Sequence, residues 1–218
     1  MVTAQIGVRL VAIVGELYRI KQRDFSGKLR EMTDPHIIYV TDLVSCSYKR
    51  SMRLAFPLMS FRFEPPLVLG DLVHAGLGSL LSEHGWETEI PVEKKYSIDG
   101  EEYILKGRID LLKRGKNGKQ ETIVEVKTSR ELPENSPREH HAMQLRIYMQ
   151  LTGASRGYLL YVTPERLVEF EIEQSSISIE NLIRETVYNL QAPRYDWECR
   201  YCNYRKICPY ARTSKRMA

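Results

Sequence analysis

Three side chains suited to metal-assisted hydrolysis lie on two neighbouring segments that we predict to be strands. In segment 123–127, with the sequence IVEVK, the two-residue period of a strand places Glu125 and Lys127 on one face and the two valines on the other. Asp110 lies on the preceding segment, and a hairpin would bring it beside Glu125. Two carboxylates this close repel each other unless a cation lies between them. The pair therefore predicts a site for Mg²⁺ or Mn²⁺, with Lys127 orienting the attacking water.

Three further residues are candidates for this site because of their spacing. His74 follows Gly70 on a predicted helix and could offer a neutral ring nitrogen to the metal, although a lone histidine near an apolar helix face is more often a core residue. Gln144 and Tyr148 are four positions apart, so they project from one face of a helix and could hold a phosphate or the lysine. Ordinary helix packing is the alternative for this pair, and a cross-strand ion pair is the alternative for Glu125 and Lys127.

Four cysteines form a second group of candidate ligands. Cys199, Cys202 and Cys208 fall within ten residues, and Cys46 is the remaining candidate for a fourth ligand. Four thiolates suit either tetrahedral Zn²⁺ or an iron–sulfur cluster, and spacing alone does not choose between them. Aromatic and basic residues alternate around the three-cysteine segment and could stack bases and bind phosphates, or the tyrosines could pack over the metal: Arg200, Tyr201, Tyr204, Arg205, Lys206 and Tyr210.

The composition is that of an ordinary folded chain. The 218 residues are 43% hydrophobic and 28% charged, which excludes collagen-like and disordered classes. No apolar stretch approaches the roughly 20 residues of a membrane span, and the first residues lack a secretory pattern, so we expect a cytoplasmic protein. The net charge of +4 is too small to indicate a polyanion by itself, although the last 20 residues carry six basic and no acidic side chains.

The elements that must position these residues are predicted from periodicity, turns and caps. Helices are expected over about 6–22, from Thr41 or Asp42 to about Leu54, over about 67–81, from near Pro137 to about Leu151 with a stop at Gly153, and over about 178–190. Strands are expected over 36–40, 88–98, 103–113, 121–128, 157–162 and 166–172, with turns at Asp99-Gly100 and over 115–119. The three middle strands should be consecutive and antiparallel. This order predicts one α/β domain over 1–218, with a mixed sheet flanked by helices.

The motifs also occur in the order of a known family. Gly70…His74, Gly107-x-x-Asp110, Glu125-x-Lys127 and Gln144-x-x-x-Tyr148 resemble the RecB-type nucleases of the PD-(D/E)xK superfamily, which have a restriction-endonuclease-like core. One cysteine before this core and three after it resemble the iron–sulfur subgroup. The short chain is most similar to the CRISPR-associated exonucleases of the Cas-four family, and the resemblance covers about residues 41–210. Asp110 is followed by Leu111 where some members carry another acid.

The resemblance implies an activity and a set of residue roles. The chain would be a metal-dependent DNA exonuclease that acts on single-stranded ends and trims DNA for CRISPR spacer acquisition beside the integrase. His74, Asp110, Glu125 and the Val126 carbonyl would bind Mg²⁺ or Mn²⁺, Lys127 would serve the water, and Gln144 and Tyr148 would complete the last nuclease motif.

For the cysteines, the resemblance implies an iron–sulfur cluster that joins the N- and C-terminal segments, at about 41–55 and 192–210. Cys46, Cys199, Cys202 and Cys208 would be its ligands, with 4Fe–4S favoured and 2Fe–2S as the alternative. Two other functions stay open at this point. One is an iron–sulfur nucleic-acid-binding module without catalysis, and the other is a RecB-like nuclease used in DNA repair.

Overall fold

The computed structural model describes residues 12–115, 120–132 and 136–212. The helices are α1 (Ala12–Met32), α2 (Val40–Leu43), α3 (Ser47–Ala55), a 3₁₀ helix (Pro57–Ser60), α4 (Pro65–Ser82), α5 (Glu139–Thr152), α6 (Ile179–Val187) and α7 (Glu198–Tyr201). The strands are β1 (Ile37–Tyr39), β2 (Trp86–Ile98), β3 (Glu101–Arg114), β4 (Gln120–Thr128), β5 (Arg156–Val162) and β6 (Leu167–Ile172). Within the described ranges, none of the helices combines the length and apolar character needed to cross a membrane.

The six strands of the described residues form one mixed sheet. The order is β1-β3-β4-β5-β6, with β2 paired to the other edge of β3. β2, β3 and β4 are antiparallel, as predicted, whereas β1 is parallel to β3 and β5 is parallel to β4. The larger core includes the side chains between the sheet and helices α2, α5 and α6. A smaller cluster packs Leu111, Val124 and Val126 against the apolar side chains of α4. The prediction of a mixed sheet flanked by helices is confirmed.

Strand β3 is long enough to pair with two different strands on the same edge. Its first half pairs with β1 up to Tyr39 and Lys106, and its second half pairs with β4 from Leu111 and Val124 onward. Residues 107–110 lie between these two ladders, so side chains must satisfy the backbone groups that no strand reaches there. The two neighbours of β3 therefore diverge where the Gly107-x-x-Asp110 motif lies.

Several predicted element boundaries were wrong. The helix predicted from Thr41 or Asp42 to about Leu54 is split into α2 and α3, and Cys46 lies between the two as the N-cap residue of α3. Asp42 is not the N-cap residue of a helix, because it lies within α2, where its carboxylate accepts a hydrogen bond from the Tyr39 amide at 2.9 Å. Its carboxylate also pairs with Arg53 of α3 at 2.6 and 2.8 Å. This buried pair fixes the angle between the two helices on either side of Cys46.

Other predicted helices differ from the structure at their ends. Helix α1 continues to Met32, ten residues beyond the predicted end near residue 22, whereas α6 ends at Val187. Residues 6–11 of the first predicted helix and most of the turn over 115–119 lie outside the described residues. Helix α5 ends as predicted, because Gly153 takes a left-handed φ of 73° that favours glycine. The short helices over Pro57–Ser60 and Glu198–Tyr201 were not predicted.

Candidate active site and cysteine region

Asp110 occupies the point where β1 and β4 diverge. The antiparallel ladder aligns Leu111 with Val124, so Asp110 and Glu125 face each other at the next position. The Val126 amide donates to Asp110 Oδ2 at 2.7 Å, in a position where a strand carbonyl would otherwise serve. Asp110 is 8% exposed. The backbone of the sheet, through the Val126 amide, therefore orients the Asp110 carboxylate. Metal binding by the Val126 carbonyl stays a prediction.

Glu125 is buried with one of its oxygens unpaired. The Oε1 atom accepts from Lys127 Nζ at 2.6 Å and from Gln144 Nε2 at 2.8 Å, while Oε2 is buried and has no hydrogen-bond partner among the described residues. Burial raises the pKa of this carboxyl, Lys127 opposes that rise, and the Asp110 charge adds to it. A buried carboxylate oxygen without a donor is costly unless a cation or water meets it.

Gln144 holds the lysine and the glutamate together. Its Oε1 accepts from Lys127 Nζ at 3.0 Å while its Nε2 donates to Glu125. These two bonds orient the amide. Lys127 donates one ammonium proton to Gln144 and a second to Glu125, which leaves one of its three protons within the described chain. The remaining proton can reach a water or a phosphate oxygen. Glu125 and Lys127 thus face α5, as the strand period predicts, while Val124 and Val126 pack against α4.

Tyr148 lies one helical turn further along α5, buried against β3. The Arg108 amide, which lies in the segment without a strand partner, donates to Tyr148 Oη at 3.3 Å. Burial raises the pKa of this phenol, so it stays protonated. A Cβ at Gly107 would lie 2.5 Å from the Tyr148 ring, so only glycine lets the ring approach the strand. In this geometry Tyr148 supports the backbone of the site.

His74 reaches the same site from α4. Its Nδ1 lies 3.3 Å from Asp110 Oδ1, and the hydrogen bond between them raises the histidine pKa. A Cβ at Gly70 would lie 3.2 Å from Thr128 Oγ1, so the glycine lets α4 approach the end of β4 closely. The structure therefore brings together His74, Asp110, Glu125, Lys127 and Gln144 from α4, β3, β4 and α5.

Sequence reasoning missed Glu89, which joins this group from β2. The ligand atoms of His74, Glu89 and Asp110 all lie within 4.8 Å of one another. A signal for it did exist, because the predicted turn at Asp99-Gly100 pairs Ile98 with Glu101. Counting back along both strands from that turn aligns Glu89 with Asp110.

The donor set fits a hard divalent cation. Carboxylate oxygens and an imidazole nitrogen are ligands that Mg²⁺ and Mn²⁺ accept, and the unpaired buried Glu125 Oε2 lacks the partner that such an ion would supply.

The four cysteines meet in one place, although Cys46 lies 153 positions before Cys199, the nearest of the other three in sequence. They line a common cavity of about 310 Å³, and none forms a disulfide. Burial is the main cause that raises the pKa of Cys46, to about 11, and that of Cys208. The Arg212 amide donates to Cys199 Sγ at 3.4 Å. Partly buried thiols of raised pKa become thiolates when a metal binds them, so the donor set fits a metal centre.

Glu198 connects the two chain segments that carry the cysteines. Its Oε1 accepts from the Cys46 amide at 2.7 Å, and its Oε2 accepts from the Arg194 and Tyr195 amides at 3.0 and 2.9 Å. Nearby, the Ser47 amide donates to the Gln191 carbonyl at 2.9 Å. These contacts join segments 41–55 and 192–210, which we call the cysteine region, through polar groups of the protein alone.

The tyrosines of this region divide between packing and exposure. Tyr204 is buried and shares a hydrogen bond of 2.5 Å with Ser60 Oγ, so it packs beneath the cysteine segment. Tyr201 is 62% exposed and Tyr210 is 49% exposed with its ring against Tyr48. Of the basic residues in the C-terminal tail, Lys215 and Arg216 lie outside the described residues.

The fold and site define a nuclease of the PD-(D/E)XK class. The family model of the PD-(D/E)XK nuclease superfamily matches residues 79–209. This range contains Asp110, Glu125 and Lys127, together with the three C-terminal cysteines.

Similarity to two proteins assigns the chain to one family within this superfamily. The CRISPR-associated exonuclease Cas4 of Saccharolobus solfataricus is 37% identical over 186 residues, covering 83% of this chain and 91% of that protein. The crystal structure of SSO0001 matches with a TM-score of 0.84 and 35% identity, covering 93% of this chain and 98% of that chain. The chain belongs to the Cas4 exonuclease family within the PD-(D/E)XK superfamily. The predictions of this family and of an exonuclease are confirmed.

Proposed function

We propose that the chain is a metal-dependent exonuclease that degrades single-stranded DNA from its ends and trims DNA for CRISPR spacer acquisition. The observation that carries this proposal is the convergence of Asp110, Glu125 and Lys127, with a buried Glu125 oxygen that lacks a hydrogen-bond donor in the described chain. His74 and the Val126 carbonyl complete the metal ligands that we propose. The DNA substrate and the CRISPR role come from the family, since the relative from Saccharolobus is a CRISPR-associated exonuclease.

Each residue near the scissile phosphate has a distinct task in this proposal. A bound Mg²⁺ or Mn²⁺ supplies Lewis-acid activation of the phosphate and of the attacking water. Lys127 places a positive charge beside the position of the nucleophile and stabilises the charge that develops in the transition state. Gln144 keeps the lysine in that position through its 3.0 Å bond, and Tyr148 keeps the Arg108 backbone in place. Lys127 thus acts on the substrate, whereas Gln144 positions Lys127 and Tyr148 positions the backbone of β3.

A groove beside the site supports DNA as the substrate. It has a volume of about 810 Å³, lies between α1 and α4, and includes His74 and Arg108 in its walls. Its charged lining comprises four basic and three acidic side chains: Lys21, Lys28, Arg62, Arg108, Asp24, Asp71 and Glu89. Lys21 pairs with Asp71 and Arg62 with Glu64, so these two cations would exchange a carboxylate for a phosphate when DNA binds. Aromatic rings of α1 and of the segment before α4 contact one another along the same groove, a combination typical of single-strand binding.

We further propose that Cys46, Cys199, Cys202 and Cys208 bind a 4Fe–4S cluster in the cysteine region of a single domain spanning 1–218. In the part of the chain that the structure describes, which includes all four cysteines, no three cysteine sulfurs lie within 4.8 Å of one another. Tetrahedral Zn²⁺ with bonds of about 2.3 Å would hold its sulfurs about 3.8 Å apart. We assign the iron–sulfur cluster because one cysteine before the nuclease core and three after it resemble the iron–sulfur subgroup. The 2Fe–2S alternative also uses four cysteines.

The cellular context that we propose follows from this chemistry. Four unpaired thiols suit a reducing compartment, so we place the enzyme in the cytoplasm. We propose the CRISPR integrase as its partner, because trimmed ends must pass to the enzyme that inserts them.

The test is a cleavage assay on anaerobically purified protein. Linear single-stranded, linear duplex and circular single-stranded DNA would be incubated with Mg²⁺, Mn²⁺ or EDTA. We expect metal-dependent loss of the linear single strand, with the circle intact. Lys127→Ala should slow cleavage about 10²-fold or more while leaving Mn²⁺ binding in place. Lys113→Ala is the matched control, because Lys113 is another strand lysine and its ammonium group lies over the Trp86 ring.

Two results would contradict parts of the proposal. Equal cleavage of circular and linear single strands would show an endonuclease. Cleavage that continues in the presence of EDTA would show that the reaction does not need a divalent metal. For the CRISPR role, addition of purified integrase should set a defined length for the trimmed ends; a length distribution that the integrase does not change would favour the repair function instead.

A further inference from the structure

Glu89 lies in a backbone conformation that breaks an otherwise regular ladder. Residues 86–98 of β2 align with β3 in one continuous register, yet Glu89 and Asp110 are the aligned pair that the ladder omits. Glu89 has a φ of 56°, in the left-handed region that a residue with a Cβ seldom adopts. Such conformations are strained and are retained where the geometry serves a site. The distortion turns the Glu89 carboxylate toward His74.

The two oxygens of Glu89 have different partners. Oε1 lies 3.8 Å from His74 Nδ1, and His74 Nδ1 lies 3.3 Å from Asp110 Oδ1. Ligands of one ion with bonds of about 2.1 Å lie about 3 Å apart when adjacent and about 4.2 Å apart when opposite. These spacings fit one cation. The second observation is Glu125, whose buried Oε2 has no hydrogen-bond partner in the described chain and whose carboxylate interacts electrostatically with both His74 and Asp110.

Glu89 Oε2 forms an ion pair with Arg108 Nη1 at 2.6 Å. The Arg108 side chain is 55% exposed and the Glu89 side chain is 40% exposed, so this pair is weak and easily exchanged. Arg108 also lines the α1–α4 groove that we assign to the DNA strand. A guanidinium at that position can bind a phosphate in bidentate fashion once its carboxylate partner has gone.

We propose that Glu89 exchanges partners when the divalent cation binds. Glu89 becomes an additional ligand beside His74 and Asp110, and the Arg108 that it releases binds the phosphate backbone of the substrate. Metal loading and DNA binding are thereby coupled through one carboxylate. The inference rests on the proposed function, because it needs both the cation and a polyanionic substrate.

The first test measures Mn²⁺ binding by calorimetry on the full chain with its cysteine centre intact and without DNA. Glu89→Gln should weaken Mn²⁺ binding about tenfold. Arg108→Ala should strengthen it by up to about fivefold, because Glu89 is no longer paired. In the double variant the gain from Arg108→Ala should vanish, which a simple charge effect cannot produce.

Glu87 and Arg114 provide matched controls on the same two strands. They form an ion pair of 2.5 Å, and neither residue belongs to the cluster of His74, Glu89 and Asp110. Glu87→Gln and Arg114→Ala should leave Mn²⁺ affinity unchanged. Unchanged affinity in Glu89→Gln, or an equal gain from Arg108→Ala with and without Glu89, would overturn the exchange.

The second test follows the released arginine in the Lys127→Ala background, which slows cleavage. Binding of a single-stranded oligonucleotide would be measured over a range of salt concentrations, with and without Mn²⁺. Arg108→Ala should reduce the salt slope by about 0.7 only when Mn²⁺ is present. The same reduction without Mn²⁺ would show that Arg108 contacts DNA without being released, and the coupling would be wrong.

The outcomes also separate this inference from the proposed nuclease. If Asp110→Asn leaves cleavage intact, the metal site itself is wrong. If Asp110→Asn abolishes cleavage while Glu89→Gln keeps full Mn²⁺ affinity, only the role of Glu89 fails.

Discussion

At the carboxylate site, formed by Asp110, Glu125 and Lys127, strands orient the functional side chains before any ligand binds. In the cysteine region, by contrast, the candidate ligands lie on helix ends and loops from opposite parts of the chain. Asp110 and Glu125 face each other through the β3–β4 register, and the Val126 amide fixes the Asp110 carboxylate. Cys46 and Cys199 are 153 positions apart and meet through contacts such as Glu198 to the Cys46 amide. Sheet hydrogen bonds support the first site, and a few polar groups support the second.

This difference determines what a substitution should cost. At the carboxylate site the fold survives the loss of a functional group, because the ladder does not depend on it. In the cysteine region the bound centre closes a long loop of chain, so its loss should act mainly on stability. Variants at the carboxylate site should therefore lose activity and keep their stability. Variants in the cysteine region should mainly lose stability.

The largest effect is expected from the carboxylates. Asp110→Asn and Glu125→Gln should each lower the cleavage rate about 10³-fold, because each removes a charged ligand from the reaction centre. The melting temperature should not fall, since asparagine can still accept from the Val126 amide and glutamine relieves a buried charge. Cleavage assays and thermal unfolding on the same preparations check both halves. A large drop in melting temperature would show that this site also supports the fold.

Cys199→Ser should show the opposite pattern. Removal of one ligand opens the link between the chain ends, and by analogy with other cross-links this costs about 3 kcal/mol, or roughly 6–12 °C in melting temperature. Iron content should fall with it, and Cys46→Ala should reproduce both losses. Elemental analysis and calorimetry make the measurement. Unaltered iron in Cys46→Ala would mean that another group is the fourth ligand.

Glu198→Ala tests whether the protein alone joins the cysteine region. The substitution leaves the amides of Cys46, Arg194 and Tyr195 without their acceptor, at a cost of about 2 kcal/mol or roughly 4–8 °C. The loss should persist in protein stripped of its metal centre. Glu173→Ala, on a surface position after β6, is the control. If the stripped protein shows no difference, the centre and not Glu198 holds the segments together.

The smallest effect concerns pH, at the histidines between the two regions. Burial, followed by the Lys127 charge, lowers the pKa of His141 to about 2 and that of His140 to about 4, below the ordinary 6.5. The unfolded chain therefore binds more protons below pH 6.5, so stability falls as the pH decreases from about 6.5 toward 4.

Replacement of His141 by Asn should flatten this pH dependence of the melting temperature. His84→Asn, at an exposed position after α4, should leave it unchanged. An equally steep dependence in His141→Asn would assign the acid sensitivity to other groups.

Local sequence determined those features that depend on a few adjacent residues. The alternation in segment 123–127 separates Glu125 and Lys127 from the valines because a strand has a period of two. Asp99 and Gly100 form the turn, and Gly153 ends α5, because left-handed backbone conformations favour such residues. The order of the motifs indicated the family for the same reason, since each motif is a short stretch of chain.

Tertiary structure decided everything that joins distant parts. The break in the helix at Cys46 depends on the buried pair of Asp42 and Arg53, which no local pattern indicates. Gln144 binds Lys127 and Glu125 together only because α5 packs over β4. Glu89 reaches His74 through a backbone conformation that the ladder would otherwise exclude. Propensity and periodicity describe neighbours along the chain, whereas these contacts depend on how separate elements pack, and packing compensates for the local cost.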